Sequence, residues 1–363
     1  ISLSEGIPFG VEGRAEHVSF AVLMEQLGVS DNAIVDWDIN DTFGLHGTLD
    51  PFLIKGPMRM PTRDFRILRD AWHEKPARLV LCIDSANLVG QVSVTPKGIG
   101  FHNVDVTLPR SKLRVQDVLI GFSNQVRVRA DSDSFDLADV TPLVDLPLAG
   151  KGAFEATVDG PYDEPHVGGH LRFEGFSLSG FPFGDVESDF VLERHVQAVR
   201  FPELVAKKNE SRYHAKDFIL DFNDHRLLIE AEASFQRFAL QDFYHVFHYE
   251  NDERYAPYQA MVNGEARIKY TLGFPGDSPN GTMIADMDFD IEEAELSGFR
   301  FSNGQFAGRW HWLDHSQGYR GGELTVERLS LRKGKGTLNV SGKLLRGGKL
   351  DFEGLSCDAQ GNR

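Results

Sequence analysis

The sequence predicts a mainly β protein: an internally repeated antiparallel sheet with short amphipathic helices at the repeat boundaries. Three observations predict it. Apolar and polar residues alternate with period two over most of the chain, the mark of strands with one dry and one wet face. Turn residues recur every 8 to 12 positions or so, as in TPKG (Thr95–Gly98), NG (Asn303–Gly304) and RGG (Arg346–Gly348). Finally, a turn-and-strand phrase restarts at a fixed interval. It reads GPYDEPHVGGHLRFEGF at Gly160–Phe176, GFPGDSPNGTMIADMDF at Gly273–Phe289 and HGTLDPFLIKGPMRM at His46–Met60. Pro51, Pro165 and Pro279 are each 114 residues apart (165 − 51, 279 − 165).

The strands follow in order. Phe154 to Val158 alternates, and the phrase after Pro165 carries Leu171 and Phe173 on one side. Phe218, Leu220 and Phe222 alternate up to a turn at Asn223–Asp224, then Leu227, Ile229, Ala231, Ala233 and Phe235 resume. Ala266–Leu272 includes Ile268. In ADMDFDIEEAEL, Met287, Phe289 and Ile291 oppose Asp286, Asp288, Asp290 and Glu292. Leu324–Val326 and Leu338–Val340 complete the set.

Three segments change to helical spacing. Phe20, Leu23, Met24 and Leu27 fall at i, i+3, i+4, i+7; so do Leu240, Phe243, Tyr244 and Phe247. Leu137, Val140, Leu143 and Val144 show a similar stripe, shortened by Pro142. Each helix begins at a Phe: Phe20, Phe135 and Phe238. The organisation predicted is residues 1–46 as the end of a preceding repeat with helix 19–28, then repeat 1 at 47–149 with helix 135–144. Repeat 2 follows at 150–262 with helix 238–248, and repeat 3 at 263–363. No Pro/Ser-rich or charged linker separates them, which favours a stacked array over tandem globules.

Composition narrows the function classes. The chain has 363 residues and a net charge of −16, with 54 acidic against 38 basic residues. That balance argues against nucleic acid, which needs clustered Lys and Arg, and against charge-driven docking on anionic headgroups. Phe (27) outnumbers Tyr (8) and Trp (4), which fits either a broad dry face or an ordinary β core built with Phe. The two cysteines, Cys82 and Cys357, form no CxxC, and no apolar run reaches membrane-span length.

Catalytic and metal motifs are absent by pattern: there is no GxSxG, P-loop or strand-linked GxGxxG. His311 and His315 in WHWLDHS lie in an alternating, hairpin-like context that separates them. ADSDSFD (Ala130–Asp136) lacks the central Gly and closing Glu of a calcium loop and reads as a helix cap. The Asp286/Asp288/Asp290/Glu292 row reads as a solvated outer face. We expect no enzyme, no cofactor and no metal site.

The repeat phrase resembles the TamB and wider AsmA-like family of Gram-negative, periplasm-bridging proteins. The match is carried by GKGAFEATVDGPYDEPHVGGHLRFEGFSLSGFPFGDVESDF (Gly150–Phe190), with its SGFPFG loop echoed at Ser297–Gly304. ERLSLRKGKGTLNVSGKL (Glu327–Leu344) supplies the closing layer, and PELVAKKNESRYHAKDFILDF (Pro202–Phe222) a further match; together the resemblance spans roughly residues 10–355.

The resemblance implies a sheet curled into an open β-taco, a hydrophobic groove, anchored to the inner membrane by a helix that this sequence lacks. The chain would be an internal, periplasmic section. It implies phospholipid or another acyl-chain ligand as the partner. The alternative role is a scaffold for assembly or secretion of outer-membrane β-barrel proteins. On that reading the groove is lined by Phe154, Val158, Leu171, Phe173, Phe218, Leu220, Phe222, Leu227, Ile229, Phe235, Ile268, Met287, Phe289, Ile291, Leu324, Val326, Leu338 and Val340. Phe20, Leu23, Leu27, Leu137, Val140, Leu240, Phe243 and Phe247 would plug it. Roughly 25 to 30 strands, stacked about 4.8 Å apart, are expected.

Overall fold

The computed structural model describes residues 6–26, 35–69, 78–141, 148–161, 164–178, 181–193, 198–221, 226–244, 257–273, 282–315, 319–347 and 350–360. The fold is mainly β, a long antiparallel sheet that stays open, with short helical turns. The chain divides into two compact units, Ile1–Phe173 and Glu174–Arg363.

Unit 1 is an up-and-down meander. It starts with β1 (Pro8–Ser19), helix α1 (Phe20–Gln26), β2 (Val35–Leu49), β3 (Phe52–Arg69) and β4 (Arg78–Thr95). It continues through β5 (Gly98–Thr107), β6 (Lys112–Gly121), β7 (Gln125–Asp136), a 3₁₀ turn (Leu137–Asp139) and β8 (Leu148–Gly160). Each strand from β1 to β8 pairs with the next, antiparallel throughout. β9 (His166–Leu178) begins beside β8, where the Thr157 hydroxyl donates to the Gly168 carbonyl at 3.3 Å.

Unit 2 repeats the plan with β10 (Phe181–Glu193), β11 (Ala198–Lys208), β12 (Ser211–Asp221), β13 (Arg226–Ala239), helix α2 (Leu240–Tyr244) and β14 (Tyr258–Gly273). Then come β15 (Thr282–Leu296), the three-residue β16 (Phe299–Phe301), β17 (Asn303–His315), β18 (Tyr319–Lys333), β19 (Gly336–Gly347) and β20 (Leu350–Gln360). Consecutive strands pair again, except that β16 is a spur on β15 and the ladder passes from β15 to β17.

The 114-residue interval is six strands. Pro51 precedes β3 and Pro165 precedes β9, while Pro279 lies outside the described residues just ahead of β15. Helical turns follow β1, β7 and β13, also six strands apart. One strand with its turn therefore takes 19 residues (114/6). The strands are longer than the sequence suggests, up to 18 residues in β3 and β4, so the described residues form twenty and not 25 to 30. The Asn303–Gly304 pair, expected in a turn, opens β17 instead; the chain reverses at Ser297–Gly298.

The helices are shorter than their sequence stripes. Phe135 and Phe238 are strand residues, paired with Gly152 and Val262. A β-bulge explains the misreading. Register shifts between Ser132 and Phe135, and between Phe235 and Phe238, insert one extra residue. Arg237 takes φ 49° at the second of these. The bulge lets residues i and i+3 both face inward, which on paper is helical spacing.

Candidate functional site: one apolar face on each unit

Directly opposed residues in antiparallel strands point to the same face. Following the register through unit 2, Val186, Ala206, Tyr213, Phe235, Gly264, Phe289, Phe306, Leu329, Val340 and Cys357 form one row across ten strands. The next row is Ser188, Leu204, Ala215, Ala233, Ala266, Met287, Gly308, Val326 and Gly342. Ile268, Ala285, Trp310, Leu324 and Leu344 make a third; Phe238, Val262, Ile291, Gly304, Leu331 and Leu338 a fourth. Leu192, Val199, Leu220 and Ile229 continue toward Tyr270 and Met283.

Aromatic contacts stitch these rows. The rings of Phe235 and Phe289 meet edge-to-face at 5.8 Å although β14 runs between them. They can do so because the residue between is Gly264, where a Cβ would lie 2.8 Å from the Phe289 ring. Phe235 also packs on Phe238 (5.0 Å) and Tyr213 (6.0 Å), and Phe289 stacks on Phe306 (6.3 Å).

Unit 1 builds an apolar face of its own from mostly aliphatic residues. Ile54, Val94, Ile99, Ile120 and Val126 form one row; Val92, Phe101, Val118, Val128 and Val158 the next. Phe20 of α1 is buried over this face with Met58, Ile99 and Val104. Phe154 meets Phe135 edge-to-face at 4.8 Å, and Phe173 is buried.

The opposite face is charged and ordered. In unit 2, Glu203, Lys216, Glu232, Arg267, Asp286, Arg309, Thr325, Lys343 and Glu353 lie in one row, nearly alternating in sign. Arg267 pairs with Glu232 at 3.0 Å and Lys269 with Glu230 at 2.6 Å. Hydrogen bonding to Asp286 raises the Arg309 pKa, and the Lys343 ammonium lowers that of Glu323. The acidic row of β15 is therefore half of an ion ladder, more than a solvated surface: Asp286 holds Arg309, Asp290 accepts from Gln305, and Glu292 holds Arg237 and Asn263. A polar hollow of about 630 Å³ on this side is lined by Lys207, Asn209, Glu210, Arg212, Gln236, Arg237 and Asn263.

Two helical turns are fastened by the same device. Ser111, immediately before β6, accepts from the Asp136 amide (2.9 Å) and donates to Asp139 (2.6 Å). Ser211, at the start of β12, accepts from the Ala239 amide (3.1 Å) and donates to Asp242 (2.9 Å). In both, the carboxylate comes three residues after the amide (139 − 136, 242 − 239). Asp136 caps its turn as the sequence predicts, accepting from the Ala138 amide at 3.0 Å. Asp242 also takes the Lys208 ammonium and the Tyr213 hydroxyl. Burial, then the Asp242 charge, pushes the Tyr213 pKa well up.

The predicted lining residues Phe218, Leu220, Ile229, Phe235, Ile268, Met287, Phe289, Ile291, Leu324, Val326, Leu338 and Val340 all fall on the apolar face of unit 2. Phe154, Val158, Leu171 and Phe173 are half-buried or buried in unit 1. Of the predicted plugs, Phe20 is buried and Leu23, Leu137, Val140 and Leu240 are half-buried. Leu27, Phe222 and Phe247 lie outside the described residues, as do the side chains of Leu227 and Phe243. Sequence reasoning missed Tyr213, Phe306 and the aliphatic rows of unit 1, although the alternation in QVSV (Gln91–Val94) and VRVRA (Val126–Ala130) marks those rows. Among the described residues no cluster of His, Cys, Asp and Glu could hold a metal, and no helix is long and apolar enough to cross a membrane. No family model, curated protein or solved structure matches the chain.

Proposed function

We propose that these apolar faces are the inner wall of a hydrophobic β-taco groove that conducts phospholipid acyl chains across a Gram-negative periplasm, between inner and outer membranes. What carries this reading is sidedness. Ten successive strands of unit 2 contribute to unbroken apolar rows, while their backs carry a charged ladder. Each methylene transferred from water to such a wall gains roughly 0.8 kcal/mol. A chain can slide along it without any single tight site. The ion ladder keeps the back of unit 2 in water, so its apolar rows are the face that unit offers to a lipid.

A photocrosslinking amino acid at Phe289, facing inward, is expected to capture phospholipid in envelope preparations, whereas one at Glu265, on the charged side, is expected to capture none. Phe289→Glu with Phe306→Glu should cut vesicle-to-vesicle lipid transfer at least tenfold while the β circular-dichroism signal persists. Crosslinks from Phe289 to outer-membrane β-barrel proteins, with no lipid captured, would replace the conduit by the scaffold role.

A further inference from the structure

The outer face of unit 1 brings a serine, a histidine and an aspartate into hydrogen-bonded line. Ser93 Oγ on β4 lies 3.0 Å from His102 Nε2 on β5, and His102 Nδ1 lies 2.8 Å from Asp117 Oδ1 on β6. The order of atoms is that of a nucleophile, a base and an orienting carboxylate. Asp117 sits directly opposite His102 in the ladder, so it holds the Nδ1–H and leaves Nε2 as acceptor for the serine hydroxyl.

The neighbours fit that arrangement. Gly100 is directly opposite Ser93, and a Cβ there would stand 2.7 Å from Ser93 Oγ and 2.9 Å from His102 Nε2. A side chain there would force the Ser93 hydroxyl or the His102 ring to shift. On the other side Ser93 is opposite Lys55, an exposed residue on the same face. Opposed Cβ atoms lie about 5 Å apart, so the ammonium can swing to within reach of an oxyanion formed at Ser93. The side chains of His102 and Asp117 are 43% and 40% exposed, leaving the line open to water and small reactants.

We propose that Ser93 is an activated nucleophile toward small, water-accessible carboxylic esters. Its Oγ bonds to the ester carbonyl carbon as Nε2 takes the hydroxyl proton. The tetrahedral oxyanion forms beside Lys55, then collapses; the carbon–oxygen bond to the alcohol breaks, and the alcohol leaves with the proton from Nε2. Water repeats the two steps on the acyl-serine, releasing the carboxylic acid and restoring the hydroxyl. This inference is independent of the lipid reading, since it uses the opposite face.

The test is labelling of the full chain with a fluorophosphonate probe, followed by peptide mass spectrometry. One phosphonyl group on Ser93 is expected, absent in Ser93→Ala. His102→Gln is expected to slow labelling by about 100-fold or more, and Asp117→Asn by less. p-Nitrophenyl acetate hydrolysis should fall in parallel. Wild-type labelling no greater than in Ser93→Ala, or a rate unchanged in a folded His102→Gln, overturns the proposal.

Discussion

The two serine-fastened turns differ in how they treat charge. In unit 1 the carboxylate bound to Ser111 is half-buried Asp139, and the nearby ammonium, Lys151 on Asp136 at 3.2 Å, stays 78% exposed. In unit 2, Asp242 and Lys208 are both sequestered, at 10% and 17% side-chain exposure, beside the Tyr213 hydroxyl. The hydroxyl-to-amide and hydroxyl-to-carboxylate bonds are the shared element; the buried ion pair is an addition. A buried pair offers little net stability, because desolvation offsets attraction, but it strongly penalises loss of one partner. Unit 2 should thus be brittle where unit 1 is tolerant.

The largest effect expected from breaking that contrast is Asp242→Ala, which leaves Lys208, only 17% exposed, without its carboxylate. It should cost unit 2 about 3–5 kcal/mol, read by urea unfolding through Trp310 and Trp312 fluorescence. Replacing both partners, Lys208→Met with Asp242→Leu, should recover most of that loss. If the double variant is as unstable as the single, the ion pair is more than an addition.

Next in size, Ser111→Ala and Ser211→Ala should each cost about 1–3 kcal/mol, since each removes the hydroxyl from a buried or part-buried amide and from a carboxylate that keeps its other partners. Similar losses in both units would sharpen the claim that the hydroxyl is the common fastener. A loss at Ser211 alone would break it.

A pH series separates the units further. Burial pushes Asp136 upward, but the Ala138 amide and the Lys151 ammonium outweigh it, so its pKa is lowered overall. Its contribution is therefore fully present above the ordinary Asp value of about 3.9 and is lost as pH falls through the lower, folded-state value. Between pH 5 and pH 3, wild-type unit 1 should lose more stability than Asp136→Asn does in the same urea titration.

The smallest effect belongs to the charged face. Arg267→Ala removes an ion pair whose side chains are 76% and 65% exposed, and should cost under about 0.5 kcal/mol. A larger loss would mean the ladder behaves as one network.

Much of the fold was legible. Strict alternation in Met287, Phe289 and Ile291 could only be a half-buried strand, and those residues indeed share the inward face. What misled was local. Phe235 and Phe238, three apart, read as a helical stripe, yet a bulge at left-handed Arg237 turns both rings inward on one strand. The Ser93–His102–Asp117 line was invisible because its members sit 9 and 15 residues apart on three strands, with no motif to join them.

The sequence by itself determined the β class, the sidedness of the strands and the 114-residue recurrence, because period-two patterning and turn residues act over a few neighbours. The tertiary structure alone decided which side chains share a row and how many strands fill each interval: register is set by pairing between strands, and a one-residue slip in that pairing, unless a bulge absorbs it, turns a strand's whole apolar set to the other face.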